Sequence, residues 1–164
     1  MGDTDTTVAT ASSTAEQMSG GALDAGLSRL KSAGYRLTPQ RKAILELFDG
    51  EPEHMTPQQI FGRLEDTVPS LSLATVYNTL ELFEDVGIVA RINAHDGQTY
   101  FDPTVEPHHH AVCDHCGEIF DVQLESDSLQ QLITTSRTLH ADDTEFVVET
   151  ATVWLRGVCS PCRR

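Results

Sequence analysis

Two Cys-x-x-Cys pairs, Cys113/Cys116 and Cys159/Cys162, constrain this chain more than any other feature. Zinc takes four tetrahedral donors, and a Cys-x-x-Cys turn sets two thiolates on one side of a metal without straining the backbone. Two such turns complete the shell, so the segment between them has to fold back until its ends meet at one ion. Gly117 after the first pair and Ser160-Pro161 within the second mark tight knuckles. Redox-active pairs would want a thioredoxin-like βαβ context, which is missing from the pattern here. A disulfide framework belongs with a secretion signal. The N-terminus has neither a basic start nor an apolar h-region, and no apolar run approaches the ~18 residues of a membrane span. The expectation is a cytoplasmic protein with no membrane partner, whose four cysteines hold a structural Zn2+.

A second donor cluster precedes the first knuckle. Asp102, His108, His109, His110 and Asp121 crowd the stretch FDPTVEPHHHAVCDHCGEIFD, residues 101–121. On an extended segment alternate residues share a face, so His108 and His110 point together and His109 points away. A hairpin centred between Asp114 and His115 sets Asp121 opposite His108. Two imidazoles with carboxylates and no thiolate suit Fe2+ or Mn2+ as well as Zn2+. An isolated histidine run reads as a solvated loop, but the company of Asp102 and a zinc knuckle favours a second metal site. His95 and His115 read as turn and knuckle residues, and His109 and His140 carry no assigned role. His54, on pattern alone, reads as an exposed turn residue.

Taken in order, residues 1–21 are rich in Ser, Thr, Ala and Asp and read as a disordered tail. Leu23, Leu27 and Leu30 predict a helix that stops at Gly34. Thr38-Pro39 opens a second, with Ile44, Leu45, Leu47 and Phe48 toward the core and Gly50 as its end. Thr56-Pro57 opens a third around Ile60, Phe61 and Leu64. Ser72 caps a fourth, whose Leu73, Val76, Leu80, Phe83 and Val86 run to Gly87. IVARIN, a turn at His95-Asp96-Gly97, and QTYFD then read as a hairpin. Helices closed by a two-stranded wing suggest a winged helix-turn-helix, with Ala74, Thr75, Tyr77, Asn78 and Thr79 on the outer face of its recognition helix. Plain core-packing helices give the same periodicity. Beyond the cluster, Ser126 or Asp127 caps a helix carrying Leu129, Leu132 and Ile133. Phe146, Val148, Thr150, Thr152 and Trp154 then alternate as β structure. The fold class expected is α+β: a winged-helix domain over residues 22–93 with wing and hinge to about 103, and a small α/β dimerisation domain over 104–164. So little apolar material in the second half calls for metal and a partner subunit as reinforcement.

Charge runs against a nucleic-acid partner at first sight. Twenty-five acidic residues against eleven Lys and Arg leave a net charge of −14, without the basic footprint usual for DNA binding. Arg36, Arg41, Lys42, Arg63 and Arg91 can still gather on one face, and a dimer doubles them. DNA contacts are expected from Ser72, Thr75, Tyr77 and Asn78, with Arg36 and Arg41 beside them. An acidic, Lys-poor surface suits a salt-rich cytoplasm, where self-repulsion is screened. The expected signature is a melting temperature that rises with added KCl; a flat or falling curve removes that reading.

The segments YRLTPQR (35–41), His54 in the following turn, SLATVYNTL (72–80), YFD (100–102), HHHAVCDHCG (108–117) and a closing Cys-x-x-Cys together resemble the ferric uptake regulator (Fur) superfamily of metal-dependent DNA-binding repressors. The likeness runs over roughly residues 23–164. It implies a homodimer on operator double-stranded DNA, with structural zinc and a regulatory Fe2+ or Mn2+. The peroxide-sensing (PerR-like) branch is most similar, because its three His and two Asp ligands match His54, Asp102, His108, His110 and Asp121. Iron-sensing members tend to carry Glu where this chain has Asp121, and zinc sensors add a cysteine that is missing here. Pro107 and Ala151 stand where many Fur proteins build an additional site. The resemblance implies a repressor, not an enzyme, in which hydrogen peroxide oxidises His54 or His108 at bound iron. The alternatives are an iron- or manganese-responsive repressor without peroxide sensing, a zinc-uptake regulator, and a small metal-dependent hydrolase with a coordination position left for water.

Overall fold

The computed structural model describes residues 21–50, 53–94, 97–135 and 151–163. The N-terminal tail, His95, His140 and the β pattern expected at Phe146, Val148 and Thr150 lie outside the described residues. Two compact units meet the eye, with the break between Pro103 and Thr104.

The first unit runs α1 (Gly21–Ser32), α2 (Pro39–Glu46), α3 (Pro57–Leu64), α4 (Leu73–Asp85), β1 (Ala90–Asn93) and β2 (Thr99–Asp102). Three of its helices start where a hydroxyl can serve an N–H that the helix cannot satisfy itself. Thr38 accepts from the Arg41 N–H at 3.3 Å and Ser72 from the Thr75 N–H at 3.1 Å. Thr56 and Gln59 form a reciprocal capping box at the start of α3. Leu30, Ile44, Ile60, Val76, Leu80 and Phe83 close a buried core among the four helices.

Two expectations need correction here. α2 ends at Glu46, a turn short of Gly50. The Phe48 N–H bonds back three residues to the Leu45 carbonyl at 3.1 Å, a tightened last turn that brings Phe48 into the core. Thr79 is 4% exposed and belongs to the core stripe of α4, not to its outer face. It stands three residues after Val76 and four before Phe83, so the helical period carries its hydroxyl inward with them.

α4 closes in a Schellman turn. The Gly87 N–H bonds the Glu84 carbonyl at 2.9 Å and the Ile88 N–H bonds the Phe83 carbonyl at 2.7 Å, with Gly87 at φ +71. That left-handed step sends the chain into the antiparallel β1–β2 hairpin, whose register pairs Ala90 with Asp102. One further bridge joins Met55 to Phe101, with backbone hydrogen bonds of 3.2 and 2.9 Å.

The second unit contains β3 (His109–Cys113), β4 (Ile119–Val122), α5 (Ser126–Thr135), β5 (Trp154–Gly157) and a short 3-10 turn, Ser160–Arg163. Among the described residues its sheet order is β4-β3-β5, with β4 antiparallel and β5 parallel to β3. The hairpin register differs from expectation: His110, not His108, lies across from Asp121. The turn closes between Cys113 and Glu118, where the Cys113 N–H bonds the Glu118 carbonyl at 2.9 Å. Gly117, at φ +75, returns its own N–H to the Cys113 carbonyl at 2.8 Å. The knuckle therefore uses two residues more than a Cys-to-Cys closure. Partners slip by two positions, and an even slip leaves each side chain on its original face.

Candidate metal centres

The four cysteines converge from β3, the knuckle, the segment after β5 and the 3-10 turn. Their sulphurs lie within 4.8 Å of one another and none is disulfide-bonded. Four thiolates about 2.3 Å from a tetrahedral zinc stand about 3.8 Å apart. Cys116 Sγ and Cys159 Sγ are 3.8 Å apart. The donor set and its size thus fit structural zinc. The protons are already unevenly shared: the Cys159 N–H, 3.4 Å from its sulphur, and then the Cys116 N–H pull Cys113 down to about 6. The neighbouring thiols of Cys159 and Cys116 push Cys162 up to about 12. The Cys113 thiolate is held by backbone donors, while Cys116 and Cys162 are pushed the other way by the sulphurs beside them until a cation replaces their protons.

The His/Asp donors are prepared within each unit. In the first, the Met55–Phe101 bridge brings the preceding residue beside the following one, so His54 Nε2 stands 3.4 Å from Asp102 Oδ2. Both side chains are buried, His54 at 8% exposure and Asp102 at 0%. Pattern alone made His54 an exposed turn residue, and the bridge to a strand end is why it is not. In the second unit His108 Nε2 lies 3.2 Å from Asp121 Oδ1. His108 Nδ1 is 2.8 Å from the Glu106 carbonyl, which can only accept, so Nδ1 carries the proton. That turns the Nε2 lone pair toward the Asp121 carboxylate, where both could ligate one metal cation. Two ligands about 2.1 Å from one metal stand about 3 to 3.5 Å apart, which both pairs satisfy. The His110 ring meets that of His108 edge-on at 4.4 Å. Thr104 Oγ1 donates to the other oxygen of Asp121 at 3.2 Å.

His109, given no role by the sequence, is buried on the opposite face and accepts the Val153 N–H at 3.3 Å. Asp114 takes Arg156 across to β5 at 2.6 Å. Nothing local in the sequence signals either contact, because each partner lies more than forty residues away.

Of the candidate DNA contacts, Thr75, Tyr77 and Asn78 share the outer face of α4. Ser72 spends its hydroxyl on capping, and Tyr77, 39% exposed, places its hydroxyl 3.1 Å from Gln58 of α3. Gln58 was missed by sequence reasoning. Arg36 is exposed, whereas Arg41 donates to the Arg36 carbonyl at 2.7 Å and lies over the Tyr35 ring. The other three bases face carboxylates: Lys42 with Glu46, Arg63 with Glu53, Arg91 with Glu84. Arg63, hydrogen-bonded to Glu53, holds that carboxyl below its usual range.

A winged helix-turn-helix unit followed by a small sheet unit with a four-thiolate site defines a metal-binding transcription regulator. Residues 32–149 match the ferric uptake regulator family, and the chain belongs to that family of DNA-binding regulators. The peroxide-responsive repressor PerR of Staphylococcus aureus is 36% identical over 141 residues, covering 86% of this chain and 91% of that one. The ferric uptake regulator of Vibrio cholerae superposes with a TM-score of 0.61 at 30% identity, over 80% of this chain and 98% of that one. That of Pseudomonas aeruginosa, solved with manganese, gives 0.58 at 26% identity, over 82% and 98%. Among the described residues no helix is long and apolar enough to cross a membrane.

Proposed function

We propose that this chain is a homodimeric repressor that binds operator double-stranded DNA through residues 22–103, dimerises through residues 104–164, and senses hydrogen peroxide. His54, Asp102, His108, His110 and Asp121 would ligate one Fe2+ or Mn2+, while the four cysteines keep zinc. The observation that carries this reading is the His108–Asp121 pair, an imidazole nitrogen 3.2 Å from a carboxylate oxygen in a donor set without a thiolate. Imidazole and carboxylate donors suit Fe2+ and Mn2+, and a thiolate-free set keeps the cysteines out of the oxidation. The similarity to the S. aureus peroxide-responsive repressor supports the same branch.

Two ligands come from the first unit and three from the second, so a metal bound to all five favours whichever arrangement of the units presents them together. Fe2+ at these ligands would catalyse the reduction of hydrogen peroxide beside the rings, with both electrons coming in net terms from the ring that is oxidised. In net terms one oxygen atom enters a ring carbon of His54 or His108 and the other leaves as water. The oxidised ring is a poorer ligand, the metal-bound arrangement loses a contact, and the operator is released. Mass spectrometry of the iron-loaded protein after brief exposure to low peroxide tests this. The expected result is a one-oxygen gain on the peptide holding His54 or His108, absent with Mn2+. No gain at either histidine leaves an iron- or manganese-responsive repressor, the second reading, which the manganese-bound P. aeruginosa relative favours.

A further inference from the structure

Trp154 is the only tryptophan of the chain, and the parallel β3–β5 register sets it directly beside His110. Indole and imidazole are stacked, with centroids 5.0 Å apart and 28° between the planes. The strand that delivers the indole is pinned at both ends. At its entry the Val153 N–H donates to His109 Nδ1 at 3.3 Å, and the Val153 carbonyl accepts the His110 N–H at 3.1 Å. At its exit the Asp114 N–H donates to the Gly157 carbonyl at 2.8 Å, two residues before Cys159. A buried third histidine and a zinc knuckle thus fix a single aromatic plate against one imidazole.

We propose that Trp154 is a positioning residue for the regulatory metal: its indole face holds the His110 ring in the ligating orientation and gains attraction as the ring becomes electron-poor on binding a divalent cation. The inference rests on the reading of His110 as a ligand. An imidazole that gives its lone pair to a cation takes on part of the positive charge, and a charged planar group over an indole face is attracted by the ring quadrupole. The stack is therefore stronger with metal than without, which is the condition for it to raise affinity and not merely stability. His109 contributes at one remove, by clamping the strand on which Trp154 rides.

The test uses the whole 164-residue chain, zinc-loaded, and Mn2+ as probe, with binding followed by calorimetry and by the emission of the single indole. Wild type should show emission quenched in step with Mn2+ binding. Trp154→Leu should bind Mn2+ about five- to tenfold more weakly with its zinc content unchanged, and Trp154→Phe, which keeps a ring in place, should recover to within about twofold. His110→Ala should lose Mn2+ binding and, with it, the quenching. Trp154→Leu binding as tightly as wild type, or Trp154→Phe binding as weakly as Trp154→Leu, overturns the inference while leaving the ligand set standing. Should Trp154→Leu lose its zinc, the wild-type emission decides: no change on Mn2+ saturation overturns the inference. His110→Ala binding Mn2+ like wild type overturns the ligand reading beneath it.

Discussion

Replacing Cys116 with serine will cost the chain its zinc and unfold residues 104–164, while the helices of residues 21–94 keep their structure. Serine preserves the shape of the side chain, but its hydroxyl does not ionise as a thiol does, so one corner of the tetrahedron is lost. Zinc binding in small structural sites is worth about 10–16 kcal/mol at neutral pH, as large as the whole stability of an ordinary domain. Among the described residues the second unit has little apolar packing behind its β3–β5 ladder, since its strands are short and Phe120, Leu155 and Val158 stay exposed. Thermal unfolding followed by far-UV circular dichroism, with zinc measured by a colorimetric chelator, should show the metal gone and one transition left. Retention of zinc and of the wild-type melting profile would refute the four-thiolate assignment. The pH dependence has a definite sign. Cys162, pushed up to about 12 by the thiols beside it, carries a proton at neutral pH that zinc must displace. Zinc uptake by the metal-free protein therefore releases protons, and affinity falls as pH is lowered. Backbone donors already hold Cys113 at about 6, so the loss steepens below that value, where this thiolate too must be regained from its protonated form.

What could be read from the sequence was chemistry local to a few residues. Thr38-Pro39, Thr56-Pro57 and Ser72 announce helix starts because a hydroxyl, a missing N–H and a following apolar stripe act over one turn. The Cys-x-x-Cys spacing works the same way, since each pair shapes its own knuckle. Contacts that depend on backbone pairing over distance were not legible. The register of β3 on β4 hinged on whether the turn closes at Cys116 or at Glu118, and Gly117 decided it. The ligand face survived that error only because the slip was even. Thr79 misled through its residue type, a hydroxyl-bearing side chain placed by helical period in the core. Lys42, Arg63 and Arg91 each have a carboxylate neighbour that composition does not reveal. Trp154 read as one alternating strand residue among several, and its place on His110 follows from a parallel pairing across forty-four positions of chain.

His54→Ala should abolish the metal's effect on DNA binding while leaving the zinc in place. His54 is the only histidine among the described residues of the first unit, and the Met55–Phe101 bridge holds its Nε2 3.4 Å from a carboxylate that is fully buried. Losing one ligand of a divalent site should weaken Mn2+ binding by at least about the 10- to 100-fold seen when even a supporting group is removed. The effect on DNA should be larger than that number suggests. A ligand shifts an equilibrium only by the difference in its affinity for the two states, and His54 is one of the two donors that the first unit brings under the proposed function. The variant should therefore bind operator with the weak affinity of the metal-free wild type at every Mn2+ concentration, as read by fluorescence anisotropy of a labelled duplex at fixed salt. Zinc content and melting temperature separate this from misfolding, because Thr56 and Gln59 still cap α3 two residues on. Mn2+-activated operator binding that survives in His54→Ala would mean that the metal does not act through the first unit, and the proposed coupling would fail.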